Sequence, residues 1–277
     1  MIKISLKRAL GAMALSWLFA IHPSLATADT GETLESIYKM RTTAFGILGD
    51  YYMFSGLEGD SRYNREIESG IAQFEAQLAN LTKEGTPTAK LQTMANALTH
   101  WQEYKKLLET NRSDFLAQGY ANARLVDELG KSVISLNDSL KALYDGIQQD
   151  TQYPISELTQ ATRDMGLTIS TITAEYAARS TSSLGQVMVI NINEGGMDGQ
   201  GKKFGELLNT LKAQSKSEQR IFKIVDQIGV KWDFIAKSIA NYNENAVPFI
   251  VNTYGDRITQ NLETVGNHFT QSMQAKK

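Results

Sequence analysis

Apolar residues recur along this chain at alternating steps of three and four, and this spacing restricts the fold more than any other feature. In one segment the alternation runs through Val126, Leu129, Val133, Leu136, Leu140, Leu143 and Ile147. Similar stripes begin at Leu34, Ile155 and Val247. Because such a stripe lies on one side of an α-helix and buries against other helices, it is typical of helical bundles. Only four prolines are available to interrupt the helices, so the pattern predicts an all-α fold.

Turn-forming residues divide the chain into two sets of four predicted helices. The predicted breaks lie at 56–60, 84–87, 111–114, 150–154, 191–201, 213–217 and 241–245. Residues 187–192 are the one stretch whose pattern also fits a strand. Short connections favour antiparallel neighbours, so each set is predicted to form an up-down four-helix bundle. We expect one bundle over residues 29–150 and a second over residues 151–277, joined near Pro154.

The two sets of helices share a pattern that predicts a diverged tandem repeat. Phe74, Leu78 and Leu81 match Phe204, Leu208 and Leu211 at a constant offset of 130 residues. Leu91, Met94 and Trp101 match Phe222, Val225 and Trp232 at an offset of 131. The only two tryptophans beyond residue 28 therefore fall at equivalent places. The fold class predicted from the sequence is two tandem up-down four-helix bundles.

Residues 1–28 have the features of a secretory signal peptide. Lys3, Lys7 and Arg8 precede an apolar run over residues 9–21, and Ala26-Thr27-Ala28 fits cleavage before Asp29. The apolar run is shorter than the roughly 20 residues that a membrane-spanning helix needs. The sequence predicts export to the periplasm; the alternative is an uncleaved N-terminal anchor in the inner membrane.

The net charge argues against nucleic acid as a partner, and the absence of cysteine excludes disulfide bonds. Removal of residues 1–28 takes three of the 28 basic residues and none of the 30 acidic ones, so 25 remain against 30, a net charge of −5. An acidic chain without a basic patch is not expected to bind nucleic acid. The chain has no cysteine, so a packed core must supply the stability that disulfides give many exported proteins.

No motif for catalysis, for a metal or for a cofactor is recognisable in the sequence. His100 and His268 lie in different halves and lack the spacing of metal ligands. A Gly-x-Ser-x-Gly sequence and cysteine nucleophiles are absent. The glycine-rich residues 193–201 lack the Lys-Ser/Thr ending of a phosphate loop and are predicted to form a flexible loop. We therefore expect a non-enzymatic protein without metal or cofactor.

Arg41 is the charged residue that interrupts the apolar stripe of the first predicted helix. A charge on such a stripe costs several kcal/mol unless it is paired. Arg41 has three options: an internal carboxylate, extension to solvent, or presentation of its guanidinium group to an anionic ligand or a partner subunit. Arg163 lies beside the stripe in the corresponding region of the second half. Arg41 and Arg163 are the predicted polar anchors for a ligand.

The segments Lys39–Phe45 and Thr162–Leu167 each carry one of these arginines, and each half has a Phe-x3-Leu-x2-Leu helix followed by a Trp-bearing helix. In this the chain resembles the extracytoplasmic sensor modules of type IV pilus chemotaxis transducers and nitrate-sensor kinases. The resemblance implies four-helix bundles, which in that class are sometimes in tandem, whose first helix turns an arginine-containing segment towards a ligand site or a dimer partner.

Two functions are expected from these observations together. The first is a periplasmic sensory or binding module for a small, anionic ligand or for a membrane receptor. The second is a structural or scaffolding protein of the cell envelope that acts by helix–helix contact. An envelope protein or a second copy of the chain, in a homodimer, is the expected macromolecular partner.

Overall fold

The computed structural model describes residues 24–83, 90–181, 196–242, 244 and 246–275. Within these residues the chain forms eight α-helices and no strand, which confirms the predicted all-α class. The helices are α1 (Ser24–Gly56), α2 (Ser61–Lys83), α3 (Leu91–Gln118), α4 (Ala123–Thr151), α5 (Glu157–Thr181), α6 (Gly196–Gln214), α7 (Gln219–Ala240) and α8 (Pro248–Gln274). At 1.5 Å per residue, the 33 residues of α1 span about 50 Å.

Most helix boundaries lie at the predicted breaks and are fixed by polar caps. The side chain of Asp60 accepts a hydrogen bond from the backbone N–H of Arg62 at 2.7 Å, and α2 begins beside it. Ser156 caps α5 in the same way through the N–H of Thr159 at 3.0 Å. Pro248 occupies the first turn of α8, where its missing N–H costs no hydrogen bond. These contacts satisfy donors that a helix start would otherwise leave unpaired.

The predicted break at residues 111–114 is wrong, because these residues lie inside α3. The Asn111 amide is buried, donates to the carbonyl oxygens of Leu107 and Leu125, and accepts a hydrogen bond from the hydroxyl of Tyr51. With these partners the amide does not compete with the helix backbone. The chain turns instead at Gly119, whose positive φ of 77° ends α3, and Asn122 caps α4.

The predicted glycine-rich loop is also wrong for residues 196–201, which form the first turns of α6. Met197 and Phe204 bury their side chains against the neighbouring helices, and this packing offsets the entropic cost of the glycines. Residues 191–195 and the strand-like stretch 187–192 lie outside the described residues. So do residues 84–89 and residues 1–23, which hold most of the predicted signal peptide.

Helices α1 and α5 form the centre of the structure. All four residues 51–54 are buried, as are all ten residues 169–178, so both helices are enclosed on every side there. The two helices run parallel and in contact: Glu35 faces Arg163 near one end, and Gly49 lies against Ala174 further along. Helix α8 runs antiparallel to α5 and also reaches α1. The remaining helices pack around this central pair.

The apolar residues form two clusters, one within α1–α4 and one within α5–α8. Trp101 stacks on Phe74 at a ring distance of 3.7 Å, and Trp232 packs on Phe204 at 4.4 Å. The two tryptophans that the sequence pairs thus have matching neighbours. Three alanines of α5 also belong to the first cluster, so α5 takes part in both, and the division into two tandem bundles stays a prediction.

No helix in the described part of the chain combines the length and the apolar character that crossing a membrane requires.

Candidate functional site

A cavity of about 840 Å³ lies between helices α5 and α6, with one residue each of α1 and α4 at its edge. This volume is within the range of pockets that hold small molecules. Arg41 borders it from α1, Asp164 from α5 and Gln200 from α6. Apolar surface comes from Leu167 and Leu207 on opposite walls. The cavity therefore combines charged, amide and apolar groups contributed by separate helices.

Arg41 is one of the two predicted site residues, and it borders this cavity. Its Nε atom donates to Oδ1 of Asn137 on α4 at 2.9 Å. Among the described residues no carboxylate lies within ion-pair distance of Arg41, and its terminal nitrogens have no hydrogen-bond partner. Desolvation by burial lowers the pKa of Arg41, although the charges of Asp145 and Asp164 oppose this effect. Of the three options in the sequence, the internal ion pair is therefore not the one taken.

Gln200 is a site residue that the sequence does not predict. Its side chain is only 3% exposed, and neither its oxygen nor its nitrogen has a hydrogen-bond partner among the residues that the structure describes. A buried polar group left unpaired costs about 1–3 kcal/mol, and most buried polar groups in proteins do have partners. Gln200 borders the cavity, so a rotation of its buried side chain would let a bound molecule satisfy this amide. The residue lies in the segment predicted to be a loop, where a glutamine carries no signal.

Arg163, the second predicted site residue, lies behind the cavity wall and is 6% exposed. Its terminal nitrogens donate to Oε2 of Glu35 and to the hydroxyl of Tyr144, both at 2.8 Å. Desolvation alone would lower the pKa of Arg163, but the charges of Tyr144 and Glu35 reverse this effect and leave the pKa raised. The guanidinium group thus has internal partners, and its role as a ligand anchor stays a prediction.

A chain of hydrogen bonds connects Arg163 to the cavity. The hydroxyl of Tyr144 receives the Arg163 bond and donates to Oε1 of Gln160 at 3.2 Å. Gln160 in turn donates from Nε2 to Oδ1 of Asp164 at 2.8 Å. Both Gln160 and Asp164 border the cavity. Arg163 therefore helps to fix the orientation of the wall that faces Arg41.

A second, smaller cavity of about 320 Å³ lies between α1, α2 and α8 and is strongly acidic. Asp50, Glu66, Asp256 and Glu263 all border it. Desolvation by burial, then the charges of neighbouring carboxylates, raises the pKa of Asp50 well above its usual range and that of Asp256 to about 7. No group of His, Cys, Asp and Glu side chains in the described residues is arranged to hold a metal ion.

The two histidines beyond residue 28 lie apart from both cavities. His100 contacts the hydroxyl of Ser139 through Nδ1, and His268 contacts a carboxylate oxygen of Glu218. Both contacts join neighbouring helices at the partly exposed surface. They give these residues a structural partner.

Comparisons with known proteins do not assign the chain to a family. No protein-family model, no curated protein and no solved structure gives a significant match. The resemblance to chemotaxis and nitrate sensor modules therefore stays a prediction, and the cavity itself is the basis for inferring a function.

Proposed function

We propose that this protein is a non-enzymatic binding module that is exported to the periplasm and holds a small ligand with an anionic group between α1, α5 and α6. One observation carries the proposal: two groups able to bind such a ligand, the terminal nitrogens of Arg41 and the amide of Gln200, border the same cavity and have no hydrogen-bond partner among the described residues. Export is supported by the basic and apolar segments of residues 1–28.

The arrangement of Arg41 suits an oxyanion. A carboxylate or similar planar group can accept two parallel bonds from the terminal nitrogens of an arginine. The hydrogen bond from Nε to Asn137 holds the guanidinium group in place, so less conformational entropy is lost when a ligand binds. The Gln200 amide can donate to the same oxyanion or accept from a donor on the ligand.

The Arg41→Ala variant tests the proposal through ligand-induced thermal stabilisation. The exported chain is screened by thermal unfolding against nitrate, phosphate, sulfate, short carboxylates and amino acids. A specific ligand at 100 times its Kd stabilises the fold by about 2.7 kcal/mol, which raises the Tm of a chain of this size by about 5–10 °C. We expect Arg41→Ala to abolish this shift. The ligand-free Tm should fall by only about 2–4 °C, because Arg41 has no ion pair among the described residues and loses one hydrogen bond, to Asn137, worth about 1 kcal/mol.

Arg124→Ala is the matched control, since Arg124 lies on the exposed surface of α4 and pairs only with Glu128. This variant should keep the full shift. If every stabilising compound acts equally on the Arg41→Ala variant, the cavity is not the binding site and the proposal is wrong. A screen in which none of these compounds stabilises the wild-type protein likewise contradicts the proposal.

A scaffolding role is the second candidate, and one surface feature favours it. Val230 and Phe234 lie one turn apart on α7 and are 67% and 59% exposed. Phe234 contacts the ring of Tyr254 on α8 at 5.1 Å. An apolar strip of this kind can receive a partner helix. If it joins two copies of this chain, Phe234→Ser should reduce self-association in sedimentation velocity, whereas Arg41→Ala should not.

A further inference from the structure

The cavity that borders Arg41 carries charges of both signs. Arg41 and Lys203 contribute positive groups, and Glu157 and Asp164 contribute negative ones. Lys141 also borders the cavity, but Asp145 pairs with it. Neither Lys203 nor the two carboxylates take part in an ion pair among the described residues. A ligand with negative charge alone would meet the repulsion of Asp164 as it approached Arg41.

Asp164 is placed to receive a donor from the ligand. One of its carboxylate oxygens accepts the bond from Gln160, while the other has no partner in the described part of the chain. The charge of Asp164 is close enough to Arg41 to raise the pKa of the arginine, but the two side chains are too far apart to form an ion pair. The gap between the two side chains therefore separates a free cationic group from a free anionic group across one cavity.

The remaining walls are suited to an apolar body. Leu167 and Ala161 lie on the same helix as Asp164, and Leu207 lies on the same helix as Gln200. The volume of about 840 Å³ leaves space for a side chain beyond the charged groups. Apolar surface at this place gains free energy when a hydrocarbon group displaces water.

Resting on the proposed function, we infer that the ligand is a zwitterion with an apolar body. Its carboxylate binds the terminal nitrogens of Arg41 and the amide of Gln200, and its ammonium group binds Asp164. The hydrocarbon part lies between Leu167 and Leu207. Arg41, Gln200 and Asp164 then each gain a partner of opposite character, which neither a simple anion nor a simple cation achieves.

Three probes with the same hydrocarbon body separate the contributions of the two charges. L-Leucine carries both groups, 4-methylpentanoate lacks the ammonium group, and 3-methylbutylamine lacks the carboxylate. L-Methionine and L-phenylalanine are each matched in the same way with a carboxylate and an amine analogue. All of these probes are titrated calorimetrically into the exported chain. We expect at least one amino acid to bind about tenfold or more tightly than both of its single-charge analogues, since hydrogen bonds to charged groups are the stronger ones.

Asp164→Asn then assigns the ammonium group to its site. In this variant the advantage of the amino acid over its carboxylate analogue should fall to less than about threefold, while the analogue itself binds at least as well as before. Asp127→Asn is the control, because Asp127 lies on the exposed surface of α4 and pairs with Lys131; it should keep the full advantage. An advantage that survives in Asp164→Asn overturns the assignment.

The two proposals fail in distinguishable ways. If carboxylates bind through Arg41 as tightly as the amino acids do, the ligand is not a zwitterion, and the proposed function stands without this inference. If no probe and no anion binds in a way that depends on Arg41, both proposals are wrong. If the amine probes bind most tightly and their binding depends on Asp164 alone, the proposed zwitterion and the proposed anionic ligand are both wrong.

Discussion

The ion pair between Arg163 and Glu35 gives the sharpest prediction about stability. It joins α5 to α1 at a place where the arginine is 6% exposed and the carboxylate side chain 18% exposed. Removing one partner of a buried pair costs about 3–5 kcal/mol, because the other charge stays buried without compensation. Lys39 lies 3.6 Å from the other carboxylate oxygen of Glu35 and offsets part of this cost. We therefore expect Arg163→Met to cost about 3 kcal/mol.

A double-mutant cycle separates the pair from its surroundings. Glu35→Gln keeps the volume and a hydrogen-bond acceptor, so it should cost about 2 kcal/mol. The double variant removes both charges at once and leaves neither uncompensated. Its cost should fall short of the sum of the single costs by about 1–2 kcal/mol.

Urea-induced unfolding followed by circular dichroism measures these differences, with the slope against denaturant held common to all variants. Lys131→Met is the control, because the Lys131–Asp127 pair is exposed and its loss should cost about 0.5 kcal/mol or less. If Arg163→Met unfolds within that same margin of wild type, the pair does not hold α1 to α5. Strict additivity of the two single costs would refute the direct coupling between the side chains.

Two further predictions concern a close contact and an acidic cleft. A β-carbon at Gly166 would overlap the hydroxyl of Tyr38, so Gly166→Ala should lower the free energy of unfolding in urea by about 1–3 kcal/mol. A β-carbon at Gly229 would meet open space, so the control variant Gly229→Ala should raise this free energy by about 0.5–1 kcal/mol. The raised pKa of Asp256 means that the folded state favours the protonated carboxyl group. The stability that this protonated group contributes is complete below the unfolded pKa near 4, and it is lost as the pH rises through the folded pKa of about 7. Although neighbouring groups desolvate Asp256, part of its side chain is exposed to solvent and screened, so Asp256→Asn should exceed wild type by only about 1 kcal/mol at pH 8. The two stabilities should converge below about pH 4; a difference that is the same at pH 8 and pH 4 would contradict this reasoning.

The sequence predicts the helices well because periodicity is a local property. Steps of three and four residues place Leu129, Val133 and Leu136 on one face, whatever that face touches. The same information does not show that residues 51–54 are buried on all sides. That property depends on α5, which lies more than a hundred residues away along the chain. Gly56 permits the close approach to Thr181 of α5, but a glycine in a helical pattern has no unique interpretation.

Buried amides show the limit of prediction from the sequence most clearly. Asn111 lies in a segment with the composition of a turn, yet three hydrogen-bond partners from two other helices and its own keep it in α3. Gln200 is almost as buried, yet it has no partner among the described residues. Nothing in the residue type or its neighbours distinguishes the two cases. Arg41 differs, because a charge on an apolar stripe is recognisable as an exception in the sequence alone.

The position of the cavity determines which helix a ligand would act on. One wall belongs to α5, and α1 contributes Arg41; the relative position of these two helices is fixed by the Arg163–Glu35 pair and by close contacts along their length. The other wall is α6, which packs mainly on α5 and α7. A ligand that binds Arg41 and Gln200 together would therefore connect a central helix to a peripheral one. Helices α1 and α5 cannot move apart without breaking a buried ion pair. The proposed ligand would therefore shift or order α6, because less packing holds that helix in place.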